Sequence, residues 1–432
     1  MNIQNLIKNA GHESLLPIQS RSIEAFKKYP EIILISKTGS GKTMAFLLAT
    51  ITKIESKKHG IQAVIIAPTR ELAQQIDLVY KSLKTGLKST LCYGGHPMRD
   101  EANSLKETPT IVIGTPGRIL DHIERGNING FNCHTLVIDE FDKCLELGFE
   151  YEMDNIRREF RGLKNTFLSS ATELDELPIY LKLQSPKTIS NLSNDSEINI
   201  KEFVIEYQAN VFEALTDVLS CFGKDKSIIF CNYREVVEDI VMRLKEEHFN
   251  TIAYHGGLDQ AERERALIKY RNGSSNTLVC TDLGARGLDI PEVKHVVHYQ
   301  YPGSKDAFVH RKGRTARMSK DGASYLFIGE ETQLPEYVVE PKLKFIPSDF
   351  KEINPEWTTL YFSGGKKEKI NKIDLVGFLS KKGQLKKDEI GLITVMDHTS
   401  YVAVKKHLVK GVLNKIKSEK IKGKRLKIAI SM

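Results

Sequence analysis

Hydrophobic and polar positions along the chain fall into a repeating pattern. Short runs rich in β-branched residues end in a glycine-, proline- or polar-rich turn, and a stretch with helical spacing follows. The first run is EIILIS (31–36), then the turn KTGSGK and the helical TMAFLLATITKI. QAVIIA (62–67) precedes PTRELAQQI, and TIVIG (110–114) precedes TPGRILDHI. TLVID (135–139) and TFLSSAT (166–172) complete this series. Strands that are apolar throughout, rather than alternately, need cover on both faces. A helix after each strand supplies it, so the pattern predicts a parallel sheet. A polar stretch, QSPKTISNLSNDSEIN, breaks the series, with the boundary at 192–199. KSIIF, NTIAYH, NTLVCTD, KHVVHYQ and ASYLFIG then form a second series of the same kind. PKLKFIPSDFKEINPEW has three prolines and little periodicity, and it reads as a linker. Beyond it, TTLYFSG, KIDLVGFLSKK, IGLITVM, SYVAVKK, VLNKIKSEK and RLKIAI give the order β-α-β-β-α-β, a ferredoxin-like sandwich. The expectation is an α/β protein with two parallel-sheet domains, 1–195 and 200–335, a linker over 336–355, and a small domain over 356–432.

Composition narrows the class. An apolar fraction of 41% with 27% charged residues is ordinary for a globular chain of 432 residues. No apolar run approaches the roughly 20 residues of a membrane span. The start, MNIQNLIKNAGHE, has neither a basic n-region nor a long apolar h-region, so no secretory leader is expected. The six cysteines never form C-x-x-C, and several sit in apolar runs. They read as buried free thiols of a cytoplasmic protein without structural zinc. Charge adds a partner. Residues 356–432 hold 18 Lys and Arg against 7 Asp and Glu, a surplus of 11 in a chain whose net charge is +8. The remainder therefore carries −3. So uneven a distribution points to a polyanion for the last domain, with nucleic acid first.

The turn SKTGSGKT (36–43) follows a strand and opens a helix. Phosphate binding needs small residues so that backbone amides can wrap the oxygens, a helix N-terminus behind them, a lysine, and a hydroxyl for Mg²⁺. Gly39 and Gly41, Lys42 and Thr43 supply these, and Ser36 stands where the general motif has its first glycine. The acids of DEFD, at the end of TLVI, gain meaning beside this site. Asp139 fits the aspartate that helps hold Mg²⁺ in phosphate-loop enzymes, and Glu140 then lies where it can polarise an attacking water. Both sites fall at strand carboxyl ends, where open α/β sheets bind ligands.

Taken together, these fragments resemble a DEAD-box ATP-dependent RNA helicase. SKTGSGKT resembles the family's first motif. PTREL (68–72), Gly94-Gly95 and TPGR (115–118) resemble its RNA-gripping segments. DEFD stands where the family has D-E-A-D, SAT (170–172) resembles the segment linking hydrolysis to unwinding, and TDLGARGLDI (281–290) and HRKGRTAR (310–317) resemble the last two motifs. The resemblance implies two tandem RecA-like domains and RRM-type topology for the third. It departs from the family at Phe141 (alanine is usual), Lys312, Ala316, Tyr233, and before Gln19, where the Pro-Thr pair is missing. Phe141 is expected to be a packing variant that leaves hydrolysis intact.

The resemblance also implies roles. ATP and Mg²⁺ are the implied cofactors. The nucleotide is held by Gln19, which reads adenine, by Ser36, Lys37, Thr38, Gly39, Ser40, Gly41, Lys42 and Thr43, and from the second domain by Gly287, Asp289, Arg314 and Arg317. Lys42, Asp139, Glu140, Arg314 and Arg317 carry catalysis, with Thr43 and Asp139 on the metal. Asp142, Ser170, Thr172 and His310 couple hydrolysis to domain closure. RNA is gripped by Pro68, Thr69, Arg70, Gly95, Thr115, Pro116, Gly117, Arg118, Arg234, Gly256 and Thr281. The basic tail resembles the RNA-binding domain of the DbpA/YxiN type, which recognises large-subunit ribosomal RNA. Lys381, Lys382, Lys405, Lys406, Lys422 and Lys424 are its candidate contacts, and Tyr361 and Tyr401 are placed to stack bases. Four neutralised phosphates would give a log–log salt slope of about −3, at about −0.7 per contact on single strands. The expected partner is RNA rather than a membrane, and a monomer is the default expectation.

Overall fold

A computed structural model describes residues 2–36, 39–55, 58–172, 177–190, 200–285, 293–315 and 321–431. The first unit is built on seven parallel strands: β1 (Glu31–Ile35), β2 (Ala63–Ile66), β3 (Ser89–Cys92), β4 (Ile111–Gly114), β5 (Thr135–Ile138), β6 (Asn165–Ser170) and β7 (Lys187–Ser190). Their order is β3-β4-β2-β5-β6-β1-β7. Alternate residues of each central strand feed two separate cores. Ile32, Leu34, Ala63, Ile65, Ile111, Ile113 and Val137 point to one face. Ile33, Ile35, Val64, Ile66, Val112, Leu136 and Ile138 point to the other. This two-sided burial is why these strands read as unbroken apolar runs, each buried aliphatic side chain contributing about 1.5–3 kcal/mol.

The second unit repeats the plan with β8 (Ile200–Glu206), β9 (Ser227–Cys231), β10 (Thr251–Tyr254), β11 (Thr277–Thr281), β12 (His295–His298), β13 (Gly322–Ile328) and β14 (Leu343–Lys344), in the order β10-β11-β9-β12-β13-β8-β14. It also contains the small third domain, with β15 (Trp357–Phe362), β16 (Ile390–Val395), β17 (Ser400–Lys405) and β18 (Ile428–Ile430) as an antiparallel sheet ordered β16-β17-β15-β18. Its helices Lys372–Lys381 and Val409–Ile416 cover one face, where Leu360, Phe362, Val402 and Val404 form the core. The β-α-β-β-α-β expectation holds.

Four strands escape the sequence pattern. β3 is half-exposed, β7 is an edge strand with one buried residue, and β8 begins within a polar context. β14 lies in the segment read as linker. It pairs with β8 at Leu343 and Lys344, and Phe345 and Ile353 beyond it pack on the core. That segment is therefore partly seated on the second sheet. All six cysteines are buried and unpaired. Among the described residues no helix is long and apolar enough to cross a membrane.

Candidate active site

The carboxyl edge of the first sheet sorts the sequence candidates into two groups. The loops after β3, β4 and β2 carry Gly95, residues 115–118 and residues 68–70. The ends of β5, β6 and β1 carry residues 139–142, 170–172, and 36 with 39–43. Strand order alone thus places a phosphate-binding half beside a second, glycine- and arginine-bearing half.

The phosphate half begins at Ser36, whose N–H extends the ladder by donating to Ser170 O at 3.0 Å. Gly41 takes φ +88°, in the left-handed region, and starts the helix Lys42–Ile51, which has no side-chain cap. An uncapped helix start with a lysine and a threonine at its first positions is an anion site by construction. Lys42 is 7% exposed, and its Nζ donates to Ser36 O at 2.5 Å and Ser170 O at 3.3 Å. The buried Oγ atoms of Ser36 and Ser40 have no hydrogen-bond partner among the described residues. Orphaned hydroxyls, a lysine and a free helix end fit a nucleoside triphosphate with its divalent cation. Gln19 is buried beside this loop, accepting from Leu16 N–H at 2.9 Å and donating to Gly41 O at 3.4 Å. Lys37 and Thr38 lie outside the described residues.

Asp139 is 3% exposed. Burial raises its carboxyl above the ordinary aspartate range, opposed by the charge of Lys42 and hydrogen bonds from Ser169 Oγ and Glu140 N–H. A buried carboxyl short of compensation, facing an anion cradle, suits a hard cation. Glu140 has φ +47° and ψ 54° and opens the helix Phe141–Glu146. A non-glycine residue held there stores on the order of 1–3 kcal/mol of strain, a pattern that clusters at functional sites. Asp142 Oδ2 accepts from Ala171 N–H at 3.3 Å and Thr172 Oγ1 at 3.2 Å, and Ser170 Oγ donates to Thr172 O at 2.7 Å. Asp142, Ser170 and Thr172 are therefore brought together, with Ser170 acting through Thr172. Phe141 is fully buried in the apolar cluster that includes Ile138 and Cys144.

In the other half, Thr69 caps the helix Arg70–Ser82 by accepting from Leu72 N–H, and Pro68 is buried before it. The Arg70 guanidinium sits against Gly94, where a Cβ would lie 3.1 Å from its Nη2. Gly95 has φ +99°. Thr115 and Pro116 start the helix Pro116–Glu124, and Gly117 is exposed. Arg118 turns inward: Nη2 donates to His96 O at 2.6 Å and Nε lies 2.7 Å from Glu101 Oε2. Glu101, which sequence reading missed, is 4% exposed. Burial alone would raise its carboxyl, but hydrogen bonds from His122, His96 and Tyr93 N–H and the charge of Arg118 bring it down to about 2.

In the second unit, Thr281 ends β11, Gly256 is exposed beyond β10, and Arg234 is exposed beside Glu235. His310 is half-buried on the helix Lys305–Lys312. Its neighbour Arg311, to which sequence reading gave no role although it sits in HRKGRTAR, is 1% exposed. It binds both oxygens of Asp282 at 2.6 Å, Gln300 O at 2.6 Å and Asn232 Oδ1 at 2.8 Å, tying the ends of three strands. Arg314 is buried and lines a cavity of about 750 Å³ with Lys226, Lys294 and Trp357. Gly287, Asp289 and Arg317 lie outside the described residues.

The third domain corrects one expectation. Tyr401 is 7% exposed, its hydroxyl raised by burial and close enough to Arg265 and Glu264, on the helix Gln260–Arg271, to feel their charges. Beside it, Asn272 Nδ2 donates to Thr359 Oγ1 at 2.8 Å, and Thr359 Oγ1 donates to Ser274 Oγ at 2.7 Å. Part of the sheet face is therefore packed on the second helicase-like domain, and Tyr401 is not presented to a base. Tyr361 pairs edge-on with Tyr401 and is half-buried. Lys405 is held by Glu356 and lies over Trp357; Lys381, Lys382, Lys406, Lys422 and Lys424 are exposed, with Lys382 paired to Glu419, Lys422 to Asp374, and Lys406 and Lys424 bonded to Asn354 Oδ1 and Glu368 O.

Comparison with known proteins bears on all three domains. Residues 16–177 match the DEAD/DEAH box helicase family, 210–319 the helicase conserved C-terminal domain, and 359–430 the DbpA RNA binding domain. The chain is 32% identical to the ATP-dependent RNA helicase DbpA of Bacillus subtilis (strain 168), over 99% of this chain and 96% of that one. It is 31% identical to the protein of the same name from Escherichia coli (strain K12), over 98% and 96%. Among solved structures it is similar to S. cerevisiae Dbp5 bound to RNA and ADP BeF3, with a TM-score of 0.66, 27% identity, and 76% of this chain and 88% of that one covered.

Proposed function

The chain belongs to the DEAD-box family of ATP-dependent RNA helicases, in its DbpA type, and from that premise we propose that it spends ATP hydrolysis on opening short RNA duplexes, directed by its C-terminal domain to large-subunit ribosomal RNA during ribosome assembly in the cytoplasm. The observation that supports this reading is the division of one sheet edge into a half with the uncapped, lysine-bearing loop and a glycine- and arginine-bearing half, adjoining between β2 and β5.

Lys42 holds the β- and γ-phosphates, and Gln19 reads the adenine. Thr43 and Asp139 would hold Mg²⁺, which when bound would neutralise charge on the phosphate oxygens. Glu140 orients the attacking water from its strained backbone position. Arg314 and Arg317 reach the γ-phosphate from the second domain, a role worth about 10³–10⁵ in rate in related phosphoryl transfers. Asp142 and Thr172 register closure, with His310 as the contact from the other side. A site shared by two domains is complete only when they close. Pro68, Thr69, Arg70, Gly95, residues 115–118, Arg234, Gly256 and Thr281 then grip sugar and phosphate, which makes the core blind to sequence. The address comes from the third domain, through Lys381, Lys382, Lys406, Lys422 and Lys424. The protein acts as a monomer.

The test compares the full chain with a variant carrying Lys→Ala at 381, 382, 422 and 424. Steady-state ATPase and strand displacement are measured with generic RNA and with large-subunit ribosomal RNA. Lower half-saturation by ribosomal RNA, lost in the variant alone, supports the reading. Equal response to every RNA removes the ribosomal address. Stimulated ATPase without displacement makes the protein an ATP-dependent RNA clamp.

A further inference from the structure

The Glu101 carboxylate is the meeting point of two chain segments that the functional reading treats separately. It projects from the helix Met98–Lys106 and is 4% exposed. Oε1 accepts from Tyr93 N–H at 2.8 Å and lies 2.8 Å from His96 Nε2, so it holds both flanks of Gly94-Gly95. Oε2 lies 2.7 Å from Arg118 Nε and 2.7 Å from His122 Nε2, so it holds the TPGR turn and the helix that follows. Arg118 closes the ring by donating from Nη2 to His96 O at 2.6 Å, and Asn127 Nδ2 meets His122 Nδ1 at 3.1 Å. The β3–β4 ladder aligns the two segments as far as Thr115, whose N–H donates to Cys92 O at 3.0 Å, and beyond it, where Gly95 and Gly117 offer no side chain, Glu101 carries the alignment onward.

Cys92, Glu101 and His122 also bring three ligand-type atoms within 4.8 Å. That trio is a poor metal site. The Arg118 guanidinium already faces the same carboxylate oxygen, and burial holds the Cys92 thiol protonated.

We infer that Glu101 is a positioning residue for RNA: one buried carboxylate, ringed by Tyr93 N–H, His96, His122 and the Arg118 guanidinium from two segments, sets Gly95 and Thr115–Gly117 as a single preformed surface for consecutive phosphates. The inference rests on the RNA-gripping role given to those loops. This moves Arg118 from the gripping residues proposed above to an internal brace, held by His96 O and Glu101, and leaves the contacts to the loop amides and hydroxyls. A glutamine at 101 keeps the shape but carries an NH₂ in place of one oxygen. Whichever way that amide is turned, its NH₂ faces a group that can only donate, Tyr93 N–H on one side or the Arg118 guanidinium on the other, and one loop loses a tie.

Full-length Glu101→Gln is compared with the wild type by anisotropy of a labelled single-stranded RNA with a non-hydrolysable ATP analogue, and by ATPase against RNA concentration. A positioning role predicts RNA affinity and half-saturation weakened at least tenfold, with kcat at saturating RNA, the RNA-free KM for ATP and the melting temperature little changed. His96→Ala, which removes one donor from a 30% exposed side chain, should weaken RNA binding about threefold and keeps the test readable if Glu101→Gln fails to fold. Unchanged RNA affinity in either folded variant overturns the inference. So does a parallel loss of kcat, ATP KM and melting temperature, the mark of a merely structural residue. A wild-type ATPase indifferent to RNA would instead refute the functional reading, while the anisotropy arm still reads the brace.

Discussion

A Cβ placed on Gly41 would lie 2.8 Å from Gln19 Nε2 and 3.0 Å from Leu16 Cδ1. The phosphate loop and the helix Pro17–Lys28 are thus packed through a glycine with no room for a side chain, at a φ of +88° that disfavours one. Gly41→Ala should raise the KM for ATP at least tenfold while the chain stays folded, read by nucleotide titration and circular dichroism. Near-normal ATP affinity would show that the contact is incidental.

Glu140 stands at the left-handed turn beside the buried Asp139. Glu140→Gln should bind ATP with near wild-type affinity and lose about 10²–10⁴ in turnover, the usual weight of a positioned acid–base group. Single-turnover hydrolysis checks this, and normal hydrolysis would remove Glu140 from the mechanism.

Asp142 holds Ala171 N–H and Thr172 Oγ1 rather than solvent. Thr172→Ala should therefore keep RNA-stimulated ATPase within a few-fold and cut strand displacement about tenfold. Equal loss of both would place Thr172 in hydrolysis instead of coupling.

Phe141 is wholly buried where the family has alanine. Its ring fills core space, so Phe141→Ala should leave a cavity and cost about 3–5 kcal/mol in the first unit without raising turnover. Urea denaturation followed with ATPase assays tests both halves. An active, more stable variant would mean that the ring is strained.

His298 is 1% exposed, and among the described residues its hydrogen-bond partner is Ser324 Oγ, at 3.1 Å. Burial, reinforced by Arg311 and Lys312, pushes its pKa well below the ordinary histidine value. As pH falls through about 6.5 the unfolded chain takes up a proton that the folded chain refuses, so stability is lost on acidification. His298→Gln should flatten the decline of the urea midpoint between pH 7 and 5. Part of the slope should remain from His295, also lowered by burial.

The chain's own pattern determined the parallel sheets, the phosphate loop and the acids beside it, because each is local. Continuous apolar runs specify two-sided burial, and SKTGSGKT and DEFD carry their chemistry within a few residues. Tertiary structure decided what depends on distant partners. β7 and β14 are strands only because β1 and β8 offer an edge to pair with. Glu101 looks like one more helix-surface acid, and its partners lie 8 and 21 residues away at Tyr93 and His122. Tyr401 has the alternation of a base-stacking residue, yet the face it lies on is covered by another domain. A residue's spacing fixes which side of its element it occupies; what waits on that side is settled only when the elements pack.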